Sequence, residues 1–547
     1  MCQDADRPTG GLMNMDNEIS RRFLLSAVLG GAFVSLLPAG SARAATAMTG
    51  FRLGVAEAAA RDEALAAFYR ERDFDGIWSG ADDLAIARRN ALLSALSEAT
   101  AHGLPTSRHD AGRLIVQLRA AGTAFEQGQA EVEMSRQFLQ LATDMGSGML
   151  DPRRANPHIF RDRAGMDRQA ILRGFVGAEP AAFLRDLAPR SPEYARLVRH
   201  KLSLESLRAS GGWGPGVVAA RLEPGMEGAE VVALRNRLIQ MGWLDPTATR
   251  TYDAQMRAAV ERFQAAHGLT PDGIAGEATL DQVNIGPDER LRSVMVAMER
   301  ERWTNVPRGE RHIWVNLCDF SACIVDEDRV SFRTRAVIGA VADERQSPEF
   351  SDEMEFMVIN PSWYVPRTII AREYLPMLQR NPNAASHLRI TDRAGRAISR
   401  SAVNFRNFTA RNFPFAMHQP PSRSNALGIV KFMFPNPYDI YLHDTPAKDL
   451  FAHDVRAYSH GCIRLNDPVG FAHRLLERQT ADPEEFFDER LRTGAEARVN
   501  LEQKVPVHID YRTAFTTATG GLQFRRDVYG RDSDIWNALA AEGVALG

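Results

Sequence analysis

The spacing of apolar positions divides the chain into a helical first part and a β-rich second part. Between residues 51 and 207, apolar side chains recur at helical intervals in Ala-, Arg- and Leu-rich runs, of which the clearest are 81–101, 130–145 and 193–207. Turn signals such as Gly103 and Pro152 separate these runs. The pattern predicts a scaffold domain of packed helices over residues 45–210.

A second helical unit follows a glycine-rich linker at residues 211–216. Within it, Val231, Leu234 and Leu238 share one helical face, and Ala259, Val260 and Phe263 form another. Glycines mark the turns between these faces. We therefore expect a compact three-helix module over residues 220–286.

From residue 292 onward the apolar residues form short runs that are rich in Val, Ile and Phe, at residues 313–317, 322–325, 334–338 and 356–359. Such runs, separated by turn residues, are typical of β-strands. They predict a mixed-β domain over residues 292–513, followed by a C-terminal hairpin and helix over 514–547. The fold class expected for the whole chain is multi-domain α+β.

The first 44 residues have the pattern of an export signal. Arg21 and Arg22 precede an apolar run that ends near Leu37, and Ala42-Arg43-Ala44 has the small-x-small form of a cleavage site. The apolar run is too short for a membrane-spanning helix. The paired arginines resemble a twin-arginine signal, and an ordinary secretory leader is the alternative. We expect cleavage near Ala44 and a mature protein in the periplasm.

Composition adds two constraints to this picture. The 547-residue chain has a net charge of −3, so its overall charge gives no sign of nucleic-acid binding. Four cysteines are present, at positions 2, 318, 323 and 462. Cys318 and Cys323 flank a segment that could be a hairpin connection. The sequence therefore allows either a disulfide between them or two reduced thiols. Clustered metal-ligand spacing is not apparent, and we expect no metal and no cofactor.

A short motif carries the most specific chemistry: Ser459-His460-Gly461-Cys462 is followed by Arg464 and preceded by His443. Cysteine attacks an acyl carbon as a thiolate, and a free thiol with a pKa of about 8.5 is only a few per cent ionised near neutrality. A histidine with a pKa of about 6.5 can take that proton and return it to a leaving amine. Gly461 lets the backbone approach a substrate carbonyl and present N–H groups to an oxyanion. These residues predict a cysteine acyltransferase.

The motif also resembles that of a known family. The spacing His443-x15-Ser459-His460-Gly461-Cys462 resembles the signature of L,D-transpeptidases with a YkuD-type catalytic domain. Residues 360–366, 425–436 and 441–446 are similar to the multi-domain, YcbB-like branch of this family. The pattern around Gly242-Trp243-Leu244 and Asp272-Gly273-Ile274 resembles a peptidoglycan-binding module.

The resemblance implies roles for the residues of the motif. It makes Cys462 the nucleophile and His443 the general base that later acts as the acid. Ser459 and His460 become organising groups, and the oxyanion donors are the backbone N–H groups of Gly461 or Cys462. His460 stays open as an alternative base, because residues two apart in an extended backbone share a face.

Substrate contacts are expected at four further residues: Arg464, Trp363, Tyr441 and Asn425. Arg464 could hold a substrate carboxylate or brace the site internally. The segment from Ala340 to Pro348 departs from the turn that related chains carry there, so the preference for the donor peptide could differ.

A long insertion at about residues 366–424 is implied to be a lid over the active site. It contains ten arginines against Glu373 and Asp392. A lid so rich in arginine could attract the carboxylates of peptide stems. The alternative is a solvated basic surface that reflects the arginine-rich composition of the chain, in which only four of the 66 basic residues are lysines.

The reaction that the resemblance implies belongs to peptidoglycan biosynthesis and cell-wall organisation, and thereby bears on cell shape. Cys462 forms a thioester with the diamino acid of a stem peptide, and an amine of a neighbouring stem resolves it to a 3→3 cross-link. The expected partners are stem peptides and glycan, with carbapenem-type β-lactams as inhibitors; the oligomeric state is not predicted. The alternatives are an L,D-carboxypeptidase, lipoprotein attachment to peptidoglycan with the same nucleophile, and a non-catalytic wall-binding scaffold.

Overall fold

The computed structural model describes residues 49–163 and 165–546. The predicted export signal and its cleavage site lie outside these residues. The first described region is helical, as the spacing of its apolar residues predicts, and the longest helix begins at a capping box formed by Thr123 and Glu126. Its helices are α1 (Gly50–Ala59), α2 (Glu63–Arg70), α3 (Asp83–Glu98), α4 (Ala111–Ala120), α5 (Ala124–Gly146), α6 (Pro152–Ala155), α7 (Arg168–Gly177), α8 (Pro180–Arg185) and α9 (Pro192–Ala209).

The predicted three-helix module is present and has its own core. Its helices are α10 (Ala229–Gln240), α11 (Ala254–Ala266) and α12 (Glu277–Asn284). The apolar faces expected from the sequence are buried there, with Val231, Leu234 and Phe263 each at most 1% exposed. This confirms the helical character of the module.

A long helix, α13 (Pro287–Trp303), connects the module to the β-rich region. It packs against α9 and is buried along most of its length, including the charged residues of its last turn, Glu299, Arg300, Glu301 and Arg302. Arg300 pairs with Glu349 of the β-rich region at 2.5 Å, and Glu301 pairs with Arg512. Buried ion pairs of this kind hold only where each charge has its partner, so they fix the register between α13 and the β-rich region.

The β-rich region is built on a nine-stranded mixed sheet whose strands lie in the order β10-β3-β11-β9-β8-β4-β12-β1-β2. A further pairing of β2 with β3 closes the sheet on itself. The strands and helices of this region are β1 (Arg311–Asn316), β2 (Ser321–Asp326), β3 (Arg329–Gly339), β4 (Phe350–Ile359), β5 (Trp363–Tyr364), α14 (Arg367–Ile369), α15 (Leu375–Arg380), β6 (Arg389–Thr391), β7 (Ala416–Gln419), β8 (Val430–Met433), β9 (Leu442–His443), β10 (Ala457–Ser459), β11 (Ile463–Leu465), α16 (Pro468–Leu476), α17 (Pro483–Arg492) and β12 (Ala497–Asp510).

Cys318 and Cys323 are separate thiols. Cys323 lies opposite Trp314 in the β1–β2 pair, whereas Cys318 lies in the turn after β1. Both are buried and free. Burial raises the pKa of Cys323 to about 11 and holds that of Cys318 well above its ordinary value, so both are neutral thiols.

The insertion forms a small subdomain with its own core. The strands β5, β7 and β6 make a three-stranded sheet, and residues such as Leu378, Ile390 and Met417 pack beneath it. The subdomain begins at β5, slightly earlier than the sequence suggests, because Trp363 already pairs with Gln419.

The C-terminal residues form the expected hairpin and helix, β13 (Ala514–Thr516), β14 (Leu522–Phe524) and α18 (Arg531–Ala541). Their apolar side chains, including Phe524, Ile535 and Leu539, join the core of the N-terminal helices. The tail therefore returns from the β-rich region to the scaffold. None of the helices between residues 49 and 546 is long and apolar enough to cross a membrane.

Candidate active site

Three neighbouring strands bring the motif residues to one face of the sheet. In β11, Arg464 lies opposite His443 of β9, and His443 lies opposite Lys431 of β8. Residues paired across strands share a face, as do residues two apart along a strand. Cys462 and Tyr441 therefore belong to this face. The alternate residues, such as Leu442 and Ile463, are buried in the core on the other face.

The Cys462 thiol lies against the loop before β9. Its Sγ donates to the backbone carbonyl of Asp439 at 3.5 Å, and the Tyr441 hydroxyl is hydrogen-bonded to it. Burial raises the pKa of Cys462 to about 11, while the contacts with Tyr441 and the charge of Arg464 favour the thiolate and oppose the shift. The resting group is a protonated thiol.

His443 is buried, and its ring is fixed by a backbone contact. Nδ1 donates to the carbonyl of Asp444, which leaves the Nε2 lone pair as the proton acceptor. Burial lowers the pKa of His443 to about 3, and the charges of Arg464, Lys431 and Lys448 add to this shift. The imidazole is thus neutral at physiological pH.

The thiol and the imidazole therefore rest as a neutral pair and not as a thiolate–imidazolium ion pair. A thiol with a pKa of about 11 is ionised to only about one part in ten thousand at pH 7. Removal of its proton must accompany attack on an acyl carbon. A neutral imidazole with a free Nε2 is the group that this step requires.

Ser459 organises the backbone around the nucleophile. Its hydroxyl donates to the carbonyl of Cys462 at 2.5 Å and accepts the Gly461 N–H at 3.1 Å. Gly461 has a φ of 117°, a conformation that side chains rarely adopt. Since the Gly461 N–H is engaged, the Cys462 N–H is the better candidate for an oxyanion donor; it has no hydrogen-bond partner among the described residues.

Ser347 is a site residue that the motif analysis does not include. Its hydroxyl donates to the Gly461 carbonyl at 2.6 Å and accepts the Gly339 N–H at 2.9 Å. The C-terminal tail holds Ser347 in turn, because Arg531 donates to its carbonyl at 2.7 Å. The only hint in the sequence is the unusual segment 340–348, which contains it.

His460 points away from the thiol, toward the lid. Its Nε2 lies 2.6 Å from Glu373 of the lid, which also pairs with Arg345 at 3.0 Å. A second bridge joins Arg372 of the lid to Glu344 at 2.9 Å. The loop 343–346 and the motif thus fasten one edge of the lid. This position favours His443 over His460 as the base.

The four residues expected to contact substrate fall into two groups. Arg464, Trp363 and Tyr441 are half-buried near the thiol, and Trp363 hydrogen-bonds to the Tyr441 hydroxyl. Asn425 is fully buried, and its amide is occupied by the carbonyls of Pro361, Gln419 and Pro420. The structure thus corrects the expectation for Asn425: it has a structural role and is not open to a substrate.

The arginines of the lid divide in a similar way. Five are engaged within the protein, by carboxylates or backbone carbonyls: Arg367, Arg372, Arg396, Arg400 and Arg406. The other five are exposed: Arg380, Arg389, Arg393, Arg411 and Arg423. Only these five are free to attract a substrate. The attraction of stem carboxylates by the lid therefore stays a prediction, and it depends on five arginines instead of ten.

A segment of the helical scaffold also reaches this site. Phe160 stacks on Tyr438 with ring centroids 4.3 Å apart, and the Phe160 N–H donates to the Glu349 carbonyl. Tyr438 precedes Asp439, whose carbonyl accepts the thiol hydrogen bond. The scaffold therefore supports the loop on which Cys462 rests, a contact that helical periodicity alone does not reveal. Among residues 49–163 and 165–546, no group of three or more His, Cys, Asp or Glu is placed to hold a metal.

Comparison with family models assigns the regions of the chain. Residues 310–505 match the L,D-transpeptidase catalytic domain of the YkuD family, residues 227–283 a peptidoglycan binding domain, and residues 63–200 a scaffold domain. The chain thus contains a YkuD-type catalytic domain and a peptidoglycan-binding domain, as the motifs indicate.

Individual relatives are more distant. A Haemophilus influenzae protein named "Putative L,D-transpeptidase" is 27% identical over 242 residues, which cover 44% of this chain and 48% of the relative. The match thus spans about half of that protein's length.

Two solved structures also match. An L,D-transpeptidase of Xylanimonas cellulosilytica has 15% identity and a TM-score of 0.16, with 54% of this chain and 100% of that chain covered. One from Stackebrandtia nassauensis has 13% identity and a TM-score of 0.22, with 55% of this chain and 98% of that chain covered.

Proposed function

We propose that this chain, which carries a YkuD-type L,D-transpeptidase domain and a peptidoglycan-binding domain, forms 3→3 cross-links between peptidoglycan stem peptides through a thioester on Cys462. The observation that carries the proposal is the pairing of strands β9 and β11. It brings the Cys462 thiol and the His443 imidazole to one face, with Nδ1 of His443 already engaged.

The first step is acylation. Cys462 Sγ attacks the carbonyl carbon of the diamino acid at stem position three, while Nε2 of His443 takes the thiol proton. The negative charge that develops on the carbonyl oxygen is stabilised by the Cys462 N–H. The C–N bond to the terminal D-alanine then breaks, and His443 returns the proton to the departing amine. A thioester remains on Cys462.

The second step transfers the acyl group. The side-chain amine of a neighbouring stem's diamino acid attacks the thioester carbon, His443 takes a proton from the amine, and the C–S bond breaks. The Cys462 sulfur recovers its proton from His443. One amide is thereby exchanged for another without net consumption of water.

The fastened lid favours transfer over hydrolysis. Glu373 and Arg372 hold it beside the motif, and a covered site limits the access of water to the thioester. Water as the acceptor would release a tripeptide stem, which is the product of a carboxypeptidase. The structure offers no comparable support for lipoprotein attachment.

The proposal includes a location. A cross-linking enzyme meets its substrate outside the cytoplasm, and the N-terminal pattern with Arg21, Arg22 and the Ala42-Arg43-Ala44 site fits export to the periplasm. The peptidoglycan-binding domain would hold the enzyme near its substrate and raise the local concentration of stems.

The test uses the mature protein and its Cys462→Ala variant with purified tetrapeptide-stem muropeptides. We expect a 3→3-linked dimer from the wild type only, identified by mass spectrometry. A carbapenem should add its mass to the wild type and not to the variant. Tripeptide without dimer would indicate a carboxypeptidase, and no change with either protein would contradict an enzymatic role on this substrate.

A further inference from the structure

Two basic residues flank His443 on the face that carries the nucleophile. Lys431, His443 and Arg464 form a row across β8, β9 and β11, in register. Neighbouring strands are about 4.8 Å apart, so the Cα atoms of Lys431 and Arg464 are separated by roughly 10 Å. Side chains as long as those of lysine and arginine can converge on one small group across this distance.

Neither charge is paired within the protein. Among the described residues, the side chains of Lys431 and Arg464 form no hydrogen bond and no ion pair, although both residues are half-buried and Arg464 Nε is fully buried without a partner. Lys448, whose charge also acts on His443, differs because it pairs with Asp444 at 2.8 Å. An unpaired cation that is partly removed from water loses hydration without compensation.

The carboxylate that acts on Lys431, Glu496, does not fill this role. Glu496 exerts some attraction on Lys431, but it is exposed and accepts the Ser362 N–H at 2.5 Å. For Arg464, the group that contributes a favourable charge is the Cys462 thiolate, which is scarcely populated at rest. The face that carries the nucleophile therefore has two cations for which the part of the chain described by the structure supplies no paired anion.

We propose that Lys431 and Arg464 bind a carboxylate of the donor stem peptide and thereby position its scissile carbonyl at Cys462. The inference rests on the proposed function and adds a residue, Lys431, and a ligand group to it. Arginine offers a fork of donors that fits a carboxylate, and lysine adds a point charge. Next to the scissile bond a donor stem supplies two such groups, the carboxylate of its terminal D-alanine and the second carboxylate of its diamino acid.

This arrangement couples binding to catalysis. The charges of Arg464 and Lys431 help to lower the pKa of His443. A bound carboxylate offsets those charges and so makes His443 a stronger base. The base then gains strength when the donor is in place.

The experiment measures steady-state kinetics of the full mature protein with three donors: the free tetrapeptide muropeptide, one whose terminal D-alanine is amidated, and one whose diamino acid carboxylate is amidated. With the free donor, Lys431→Met should lower kcat/KM by about 10- to 100-fold, as for loss of a charged hydrogen bond. The wild type should turn over one of the two amidated donors poorly, and with that donor Lys431→Met should lower kcat/KM little further. The group that is amidated in that donor is the carboxylate that Lys431 and Arg464 bind.

The matched control is Lys504→Met, because Lys504 pairs with Glu355 at 2.7 Å on the protein surface. It should leave kcat/KM within twofold of the wild type. Alkylation of Cys462 by the uncharged reagent iodoacetamide reports whether the site of Lys431→Met is intact, since this reaction needs no carboxylate. Retained alkylation together with lost turnover supports the proposal.

Two results would overturn it. One is a Lys431→Met variant with wild-type kinetics on the free donor, and the other is an equal loss on all three donors. If the wild type itself releases neither dimer nor tripeptide from any donor, the proposed function fails, and the inference fails with it.

Discussion

Ser347 donates its hydroxyl hydrogen to the carbonyl oxygen of Gly461, 114 residues later in the chain, at 2.6 Å. In a trans peptide the C=O and the following N–H point in opposite directions. By fixing the Gly461 carbonyl, Ser347 therefore fixes the direction of the Cys462 N–H. A hydroxyl distant in sequence thus sets the orientation of the group that would receive the oxyanion.

Replacement of Ser347 by alanine should lower kcat by about 10- to 100-fold and leave KM within about twofold, somewhat less than the loss of an oxyanion donor itself. Ser347→Thr keeps the hydroxyl and should recover most of the rate. The measurement is initial-rate kinetics on tetrapeptide muropeptides, with iodoacetamide alkylation of Cys462 as a reaction that needs no oxyanion donor. A change confined to KM would argue against the positioning role.

The two histidines of the motif should differ sharply. His443→Gln removes the proton acceptor that shares a sheet face with the nucleophile, so kcat should fall by about 10²- to 10⁴-fold. His460→Gln loses only a contact with Glu373 of the lid, and its kcat should stay within about fivefold of the wild type. The rate of carbapenem acylation gives the comparison directly, and the reverse order would make His460 the base.

Loosening the lid should shift the products toward hydrolysis. Glu373→Gln weakens the contacts with both Arg345 and His460, and partly exposed pairs of this kind contribute up to about 1 kcal/mol each. We expect the ratio of tripeptide to 3→3 dimer to rise by about two- to fivefold. Asp392→Asn is the control, since Asp392 pairs with Arg396 inside the lid. An unchanged ratio would show that these bridges do not restrict water.

The buried histidines predict loss of stability in mild acid. Burial lowers the pKa values of His443 and His267 to about 3 each, with nearby arginines adding to both shifts. Their neutral forms are favoured in the fold, so stability is complete above the unfolded pKa of about 6.5 and declines as the pH falls toward the folded value. At pH 5 each such histidine lowers the free energy of unfolding by about 2 kcal/mol.

Thermal unfolding between pH 7.5 and 5 checks this prediction when the wild type is compared with a His267→Gln variant. Burial raises the pKa of the Asp532 carboxyl to about 7, so Asp532 also titrates in this range, but it does so in both proteins. The melting temperature should fall with pH, and His267→Gln should reduce the slope whatever its effect at pH 7.5. A substitution of the exposed His387 should leave the slope unchanged. An equal slope in the His267→Gln variant would contradict the assignment of the acid sensitivity to buried histidines.

Local patterns in the sequence predict the local features of this molecule well. Periodicity locates α5 and the helices of the three-helix module, and the motif around Cys462 indicates the catalytic face, because each depends on residues within a few turns of one another. The relation of Ser347 to Gly461 depends on the pairing of distant strands. Asn425 shows a different limit of sequence analysis. Its position in a run that resembles the family does not distinguish a residue that binds substrate from one whose side chain hydrogen-bonds to the backbone of a loop.

The catalytic domain that is matched by sequence ends before the last strand of its sheet ends. The family match ends at residue 505, yet all the ladder partners of β1 in β12 lie between Val507 and Asp510. Asp510 pairs with Arg161 of the scaffold, and Arg531 of the tail pairs with Glu349 at 3.0 Å. A recombination event that carried residues 310–505 into another gene would therefore transfer the chemistry without the strand partners that support it. The structural unit that supports the site therefore extends beyond the matched residues into the scaffold and the C-terminal tail.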